Sequence, residues 1–121
     1  MTKKILVIED DLPILQMFGS VLTEAGYKVE TAENGSIGLD KVREFKPNLI
    51  ILDIKMPVMD GYGVLKSLEP DEDGKIIPVI VLTSLVGEND EKLAKSLGAT
   101  DFINKSDIHV DDILVMVKKH L

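Results

Sequence analysis

Apolar runs with almost no polar interruption recur along the chain, at Ile5-Leu6-Val7-Ile8, Leu49-Ile50-Ile51-Leu52, Val79-Ile80-Val81-Leu82 and, more briefly, Phe102-Ile103, with segments of helical period between them. Unbroken apolar runs suit strands covered on both faces, and intervening helices supply that cover, so the alternation predicts a parallel sheet with crossover helices. A further short strand is expected at about Lys28 to Ala32. After the first run, Ile14, Phe18, Val21, Leu22 and Ala25 fall on one helical face, with Asp11 as its cap, Pro13 in the first turn and Gly26 at the stop. Asn34 can cap a second helix that buries Leu39 and Val42 and ends near Pro47. A loop from Asp53 to Gly61 leads to a short third helix carrying Val64, Leu65 and Leu68. Leu93 and Leu97 mark a fourth helix closed by Gly98, and Val110, Ile113, Leu114, Val117 and Leu121 give the last helix its apolar face. The expected fold is α/β, five strand-helix units in one domain over residues 1–121.

Composition closes several classes of function. Hydrophobic residues make up 45% and charged residues 29%, the balance of a soluble globular chain. No apolar run is long enough to span a bilayer and the N-terminus turns acidic at Glu9, before a signal peptide would be complete, so no membrane partner and a cytoplasmic location are expected. With no cysteine there is no disulfide, thiolate metal site or thiol redox chemistry. A net charge of -7 disfavours direct nucleic-acid binding, which depends on lysine and arginine neutralising phosphates. The acidic stretch Glu69-Pro70-Asp71-Glu72-Asp73-Gly74 begins like a calcium loop, but the position of the bidentate glutamate falls on Ile80 within an expected strand, so it reads as a solvated loop. His109 and His120 have no partner histidine at metal-ligand spacing and read as surface residues.

In an open parallel sheet, chemistry is expected beyond the carboxyl ends of the strands, where the strand order reverses. Those ends carry Glu9 and Asp10 after the first strand, Asp53 after the third, Thr83 after the fourth and Lys105 after the fifth. Carboxylates brought together repel one another, and a hard, oxygen-seeking divalent ion such as Mg2+ relieves the repulsion while also accepting phosphate oxygens. Asp53 is then a candidate nucleophile of the kind that forms an aspartyl phosphate, with Lys105 supplying positive charge and Thr83 a hydroxyl. Taken singly, each residue has a plainer role: Asp10 or Asp11 as a helix cap, Thr83 as a residue leaving a strand, Lys105 as a surface lysine, Phe102 as core. The joint occurrence at four strand ends carries the functional reading.

At this point the chain resembles, over essentially its whole length, the receiver domains of two-component signalling. The resemblance rests on Glu9-Asp10, Asp53, Met56-Pro57, Asp60-Gly61, Thr83 and Lys105 in that order. It implies a flavodoxin-like (βα)5 fold with strand order 2-1-3-4-5 and helices on both faces. It also implies that Asp53 accepts a phosphoryl group, and that Mg2+ is held by Glu9, Asp10, Asp53 and the backbone carbonyl of Lys55. Thr83 and Phe102 stand at the switch positions. The implied partners are a sensor histidine kinase or phosphotransfer protein and a downstream target on the face of the fourth helix, fifth strand and fifth helix. The implied role is that of a signalling module catalysing only its own phosphorylation and dephosphorylation. One departure stands out: the family lysine is usually followed by proline, and here Lys105 precedes Ser106, so the usual cis bond is not expected, a trans turn could still bring Lys105 to the site, and the geometry of the loop from Lys105 to Ile108 is left open. Lys55 and Leu85 flank the implied path of hydrolytic water, and neither can act as its base, which predicts slow loss of the phosphoryl group.

Other classes fare worse. A haloacid-dehalogenase-type phosphohydrolase has a second aspartate two residues after its nucleophile, where this chain has Lys55. A flavodoxin-like cofactor carrier has a phosphate-cradling loop after the first strand, where this chain has Glu-Asp-Asp-Leu-Pro. A receiver that signals without phosphate would have no use for the retained Asp10, Asp53, Thr83 and Lys105. With no output domain after the fifth helix, the chain is expected either to act alone or to be cut from a longer regulator.

Overall fold

The structure, a computed structural model, describes residues 2–70, 73–84, 87–107 and 109–121. Five strands, β1 (Lys4–Ile8), β2 (Lys28–Ala32), β3 (Leu49–Leu52), β4 (Val79–Thr83) and β5 (Asp101–Asn104), form one parallel sheet in the order β2-β1-β3-β4-β5. Helices α1 (Leu12–Glu24), α2 (Gly35–Phe45), α3 (Gly61–Ser67), α4 (Glu88–Ser96) and α5 (Val110–His120) follow the strands in turn. The expected fold, order and strand-helix alternation are those observed.

Strand side chains alternate between faces, and the core divides accordingly. Leu6, Ile8, Ile50, Leu52, Val79 and Val81 pack with Leu39 of α2, Val64 and Leu65 of α3 and Ala94 of α4. Ile5, Val7, Leu49, Ile51, Ile80 and Leu82 pack with Leu15, Phe18 and Leu22 of α1 and Ile113 and Val117 of α5. Each fully buried side chain of this size stabilises by about 1.5 to 3 kcal/mol, which is why these runs tolerate no polar residue.

The helix signals act as expected. Asp11 accepts from the Ile14 amide at 3.3 Å and Asn34 from the Ile37 amide at 2.8 Å, while Gly26 and Gly98 take the positive φ that ends α1 and α4. Two expectations about helix faces need correction. Leu93 is 44% exposed and Ala94, one residue on, is the α4 side chain that enters the core. Leu15 is buried on α1, whereas Ala25 is exposed beyond the last turn. On α4 the close approach of the helix selects the smaller neighbour of Leu93, and on α1 Ala25 is the cap residue, past the last turn that faces the sheet.

α2 and α3 are brought close to the sheet by glycine. A Cβ on Gly38 would stand 2.5 Å from Ile8 Cδ1, and a Cβ on Gly61 would stand 2.5 Å from the Asp53 carbonyl oxygen. Both contacts fall at the carboxyl ends of β1 and β3, between which the strand order reverses.

Candidate functional site

Register fixes the site before any side chain is considered. Ile8 pairs with Leu52, so Glu9 and Asp53 leave neighbouring strands at one level; the Asp53 amide donates to the Ile8 carbonyl at 3.0 Å and the Glu9 amide to that of Ala32 at 3.0 Å. Thr83 pairs with Asn104, so the hydroxyl ending β4 and Lys105, just beyond β5, are likewise set by one register.

The carboxylates and Lys105 meet at this level. Glu9 is 2% exposed, Asp53 6% and Thr83 0%, while Asp10 is exposed. The Lys105 ammonium donates to Glu9 Oε1 and, at 3.2 Å, to Asp53 Oδ2. Glu9 Oε2 accepts from the Asp11 amide at 3.3 Å, so both oxygens of this buried carboxylate are used. Glu9, Asp10 and Asp53 each offer a carboxylate oxygen, all within 4.8 Å of one another. Three hard oxygen donors so close, with no thiol or imidazole among them, fit a divalent cation of the magnesium type.

The electrostatics follow from crowding in low dielectric. Burial, reinforced by the neighbouring Asp53 carboxyl and only partly offset by Lys105, pushes Glu9 up to about 7. For Lys105, burial by itself would lower the pKa, but the Glu9 hydrogen bond and the Asp53 and Glu9 charges outweigh it and the net shift is upward. The ammonium therefore stays charged and serves as the resident counter-cation of the cluster.

Residues 5–118 match the family model for the response regulator receiver domain. The chain belongs to this family of two-component signalling proteins. It is 32% identical to the polar-differentiation response regulator DivK of Brucella ovis, with 100% of this chain and 98% of that one covered. It is 40% identical over 103 residues to the probable transcriptional regulator ycf27 of Cyanophora paradoxa, covering 85% of this chain but 42% of that protein, so the chain spans about two fifths of that relative's length. Among solved structures, the chemotaxis protein CheY4 of Vibrio cholerae superposes with a TM-score of 0.91 at 30% identity over 100% of both chains.

In this receiver the expected site residues fall into two groups. Glu9, Asp10, Asp53 and Lys105 are brought together directly. Thr83 is buried on the β4 face that Val79 and Val81 share, towards α3 and α4, and Phe102, which pairs with Val81, is half-buried and packs on the same core. Lys55 is exposed in the loop after Asp53, and Leu85 lies outside the described residues, as do Asp71, Glu72 and Ile108.

The turn at Ser106 has its own device. Lys105–Asp107 form a 3-10 turn of trans peptides, and Asn104 Oδ1 accepts from both the Ser106 amide at 3.0 Å and its hydroxyl at 2.8 Å. Asn104 thus pins the backbone that presents Lys105, a role the sequence reading missed although an Asn two residues before a Ser is a turn signal. It named Asp60 but not its role, which is to cap α3 by accepting from the Gly63 amide at 2.9 Å, and it missed Tyr62, whose hydroxyl donates to Asp90 Oδ1 at 2.8 Å. His120 is not a plain surface residue: Nε2 stands 3.2 Å from Asp101 Oδ2 and the pair ties the end of α5 to the start of β5.

Proposed function

We propose that this receiver takes a phosphoryl group onto Asp53 from a phosphohistidine on a sensor histidine kinase or phosphotransfer protein. The observation that carries the reading is the Lys105 ammonium 3.2 Å from a nearly buried Asp53 carboxylate, with Glu9 and Asp10 beside it. An Asp53 carboxylate oxygen forms the new bond to phosphorus as the bond from phosphorus to the donor imidazole nitrogen breaks, and the imidazole keeps that electron pair. Little covalent chemistry falls to the protein in such a transfer, so positioning and charge compensation do most of the work. Lys105 would hold positive charge against the phosphoryl oxygens, and the Thr83 hydroxyl would hydrogen-bond them once the end of β4 draws in. Glu9, Asp10, Asp53 and the Lys55 carbonyl would hold Mg2+, which when bound neutralises negative charge on the transferred group.

The signal is a population shift of α4, β5 and α5, whose outer face meets the downstream target. Lys55 and Leu85 give no base for hydrolysis, so the phosphoryl group is retained for long periods. A cytoplasmic partner kinase domain and a cytoplasmic site of action belong to this reading; no helix among the described residues is long and apolar enough to cross a membrane. The phosphohydrolase alternative gains nothing from the geometry, because the exposed residue two places after Asp53 is Lys55, which offers no acid-base carboxyl.

Acetyl phosphate with magnesium tests the assignment. Intact-mass analysis is expected to show one phosphoryl group per chain in the wild type and none in Asp53→Asn. Labelling that survives in Asp53→Asn, or that maps to Asp60, overturns it.

A further inference from the structure

α3 and α4 are anchored to the sheet in different ways. The Gly61 amide donates to the Ile54 carbonyl at 2.8 Å, its Cα lies against the Asp53 carbonyl, and Val64 and Leu65 are buried, so the start of α3 is fixed to the backbone of Asp53 itself. α4 is polar, Glu-Asn-Asp-Glu-Lys-Leu-Ala-Lys-Ser, and among its described side chains Ala94 is buried, Asp90 is half-buried and the others are exposed. Its capping residue is Gly87, which has no side chain to close the first turn.

One cross-helix bond makes up for this. The Tyr62 hydroxyl, one residue beyond Gly61, donates to Asp90 Oδ1 at 2.8 Å, while Asp90 Oδ2 lies folded over Gly87, within 2.9 Å of where a Cβ would stand. The Asp90 carboxylate thus ties the first turn of α4 to α3, while its backbone amide donates to the Gly87 carbonyl at 3.1 Å. The ring closes through the covalent chain, because Thr83, which ends β4, leads within four residues to Gly87.

Resting on the assignment of Asp53 as the phosphoacceptor, we propose that Tyr62 and Asp90 form a latch that holds α4 in its unmodified position and sets the threshold for activation. Movement of Thr83 towards a phosphoryl group on Asp53 pulls the short connection to Gly87 and carries the start of α4 with it. Tyr62 cannot follow, because Gly61 anchors it to Asp53. The phenol is rigid, and a hydrogen bond at 2.8 Å weakens steeply with displacement or misalignment, so the active arrangement forfeits this bond. A contact made only in the resting state shifts the equilibrium against activation by its own strength.

Beryllofluoride with magnesium, a mimic of the phosphoryl group, gives the test on the full chain. Tyr62→Phe and Asp90→Ala should each lower the half-saturating beryllofluoride concentration by roughly threefold to tenfold, the range a modest hydrogen bond can supply. The double variant should go no further than either single one. Asp90→Asn, whose amide oxygen still accepts from the phenol, should stay near the wild type. In the unliganded variants that lose the bond, amide exchange in the first turn of α4 should quicken while that of α3 stays unchanged. Additive single effects, unchanged affinity or weaker binding in Tyr62→Phe overturns the latch. A wild type with no beryllofluoride response overturns the phosphoacceptor reading and the latch together, and is told apart from failure of the latch alone by the wild-type titration.

Discussion

Gly61 lies against the carbonyl of Asp53: a Cβ there would stand 2.5 Å from that oxygen and 2.7 Å from Ile54 Cα, neither of which can yield without moving the site. Gly61→Ala is therefore expected to destabilise the fold by about 2 kcal/mol, as overpacking against backbone does. It should also slow modification by acetyl phosphate, since relief of the clash displaces Asp53. Thermal denaturation and intact-mass time courses measure the two effects. Wild-type behaviour in both would mean that α3 can retreat as a unit.

Lys105 compensates two buried carboxylates, and removing it leaves both without their cation. Lys105→Met should cost the metal-free protein roughly 3 kcal/mol at pH 8, the order expected when one partner of a buried ion pair is removed. Magnesium should recover part of that loss, so thermal stabilisation by the ion should be larger in the variant than in the wild type. Equal stabilisation in the two would argue that lysine and metal do not share the Glu9 and Asp53 carboxylates.

The raised pKa of Glu9, about 7, makes a prediction about pH in which the sign matters. A carboxyl whose folded pKa lies above its ordinary 4.5 contributes stability that is full below 4.5 and lost as pH rises through about 7. The metal-free protein should accordingly lose stability across that window. A metal requires the ionised carboxylate and competes with the proton, so magnesium affinity should rise between about pH 6 and 8, by no more than about tenfold per unit for a single proton. Calorimetry in buffers of different ionisation enthalpy should detect proton release on binding. A pH-independent affinity would remove Glu9 from the coupled cluster.

Val58 adopts φ 69° and is 82% exposed, a left-handed conformation that a β-branched residue occupies only at a cost. Val58→Gly removes a penalty of about 1 to 2 kcal/mol and adds an unfolded-state entropy cost of about 0.5 to 1 kcal/mol. A net gain of up to about 1.5 kcal/mol is expected in urea denaturation. A loss would show that the side chain makes compensating contacts in the loop before α3.

The apolar runs determined the sheet without help from tertiary context, because a strand covered on both faces admits no polar residue and only helices joining parallel strands can cover both. That Glu9, Asp10, Asp53 and Lys105 would meet was legible for a related reason: a parallel sheet brings all its carboxyl ends to one edge, so position in sequence translates into proximity. Caps such as Asp11 and Asn34 were legible because they act within four residues. What depends on distances between elements was not. Whether Leu93 or Ala94 enters the core is decided by how close α4 lies to the sheet, and how far Glu9 departs from an ordinary carboxyl is decided by burial beside Asp53 and Lys105. The bond from Tyr62 to Asp90 joins residues 28 apart whose separation in space is set by where α3 and α4 sit over the same core, and no local pattern in the chain encodes it.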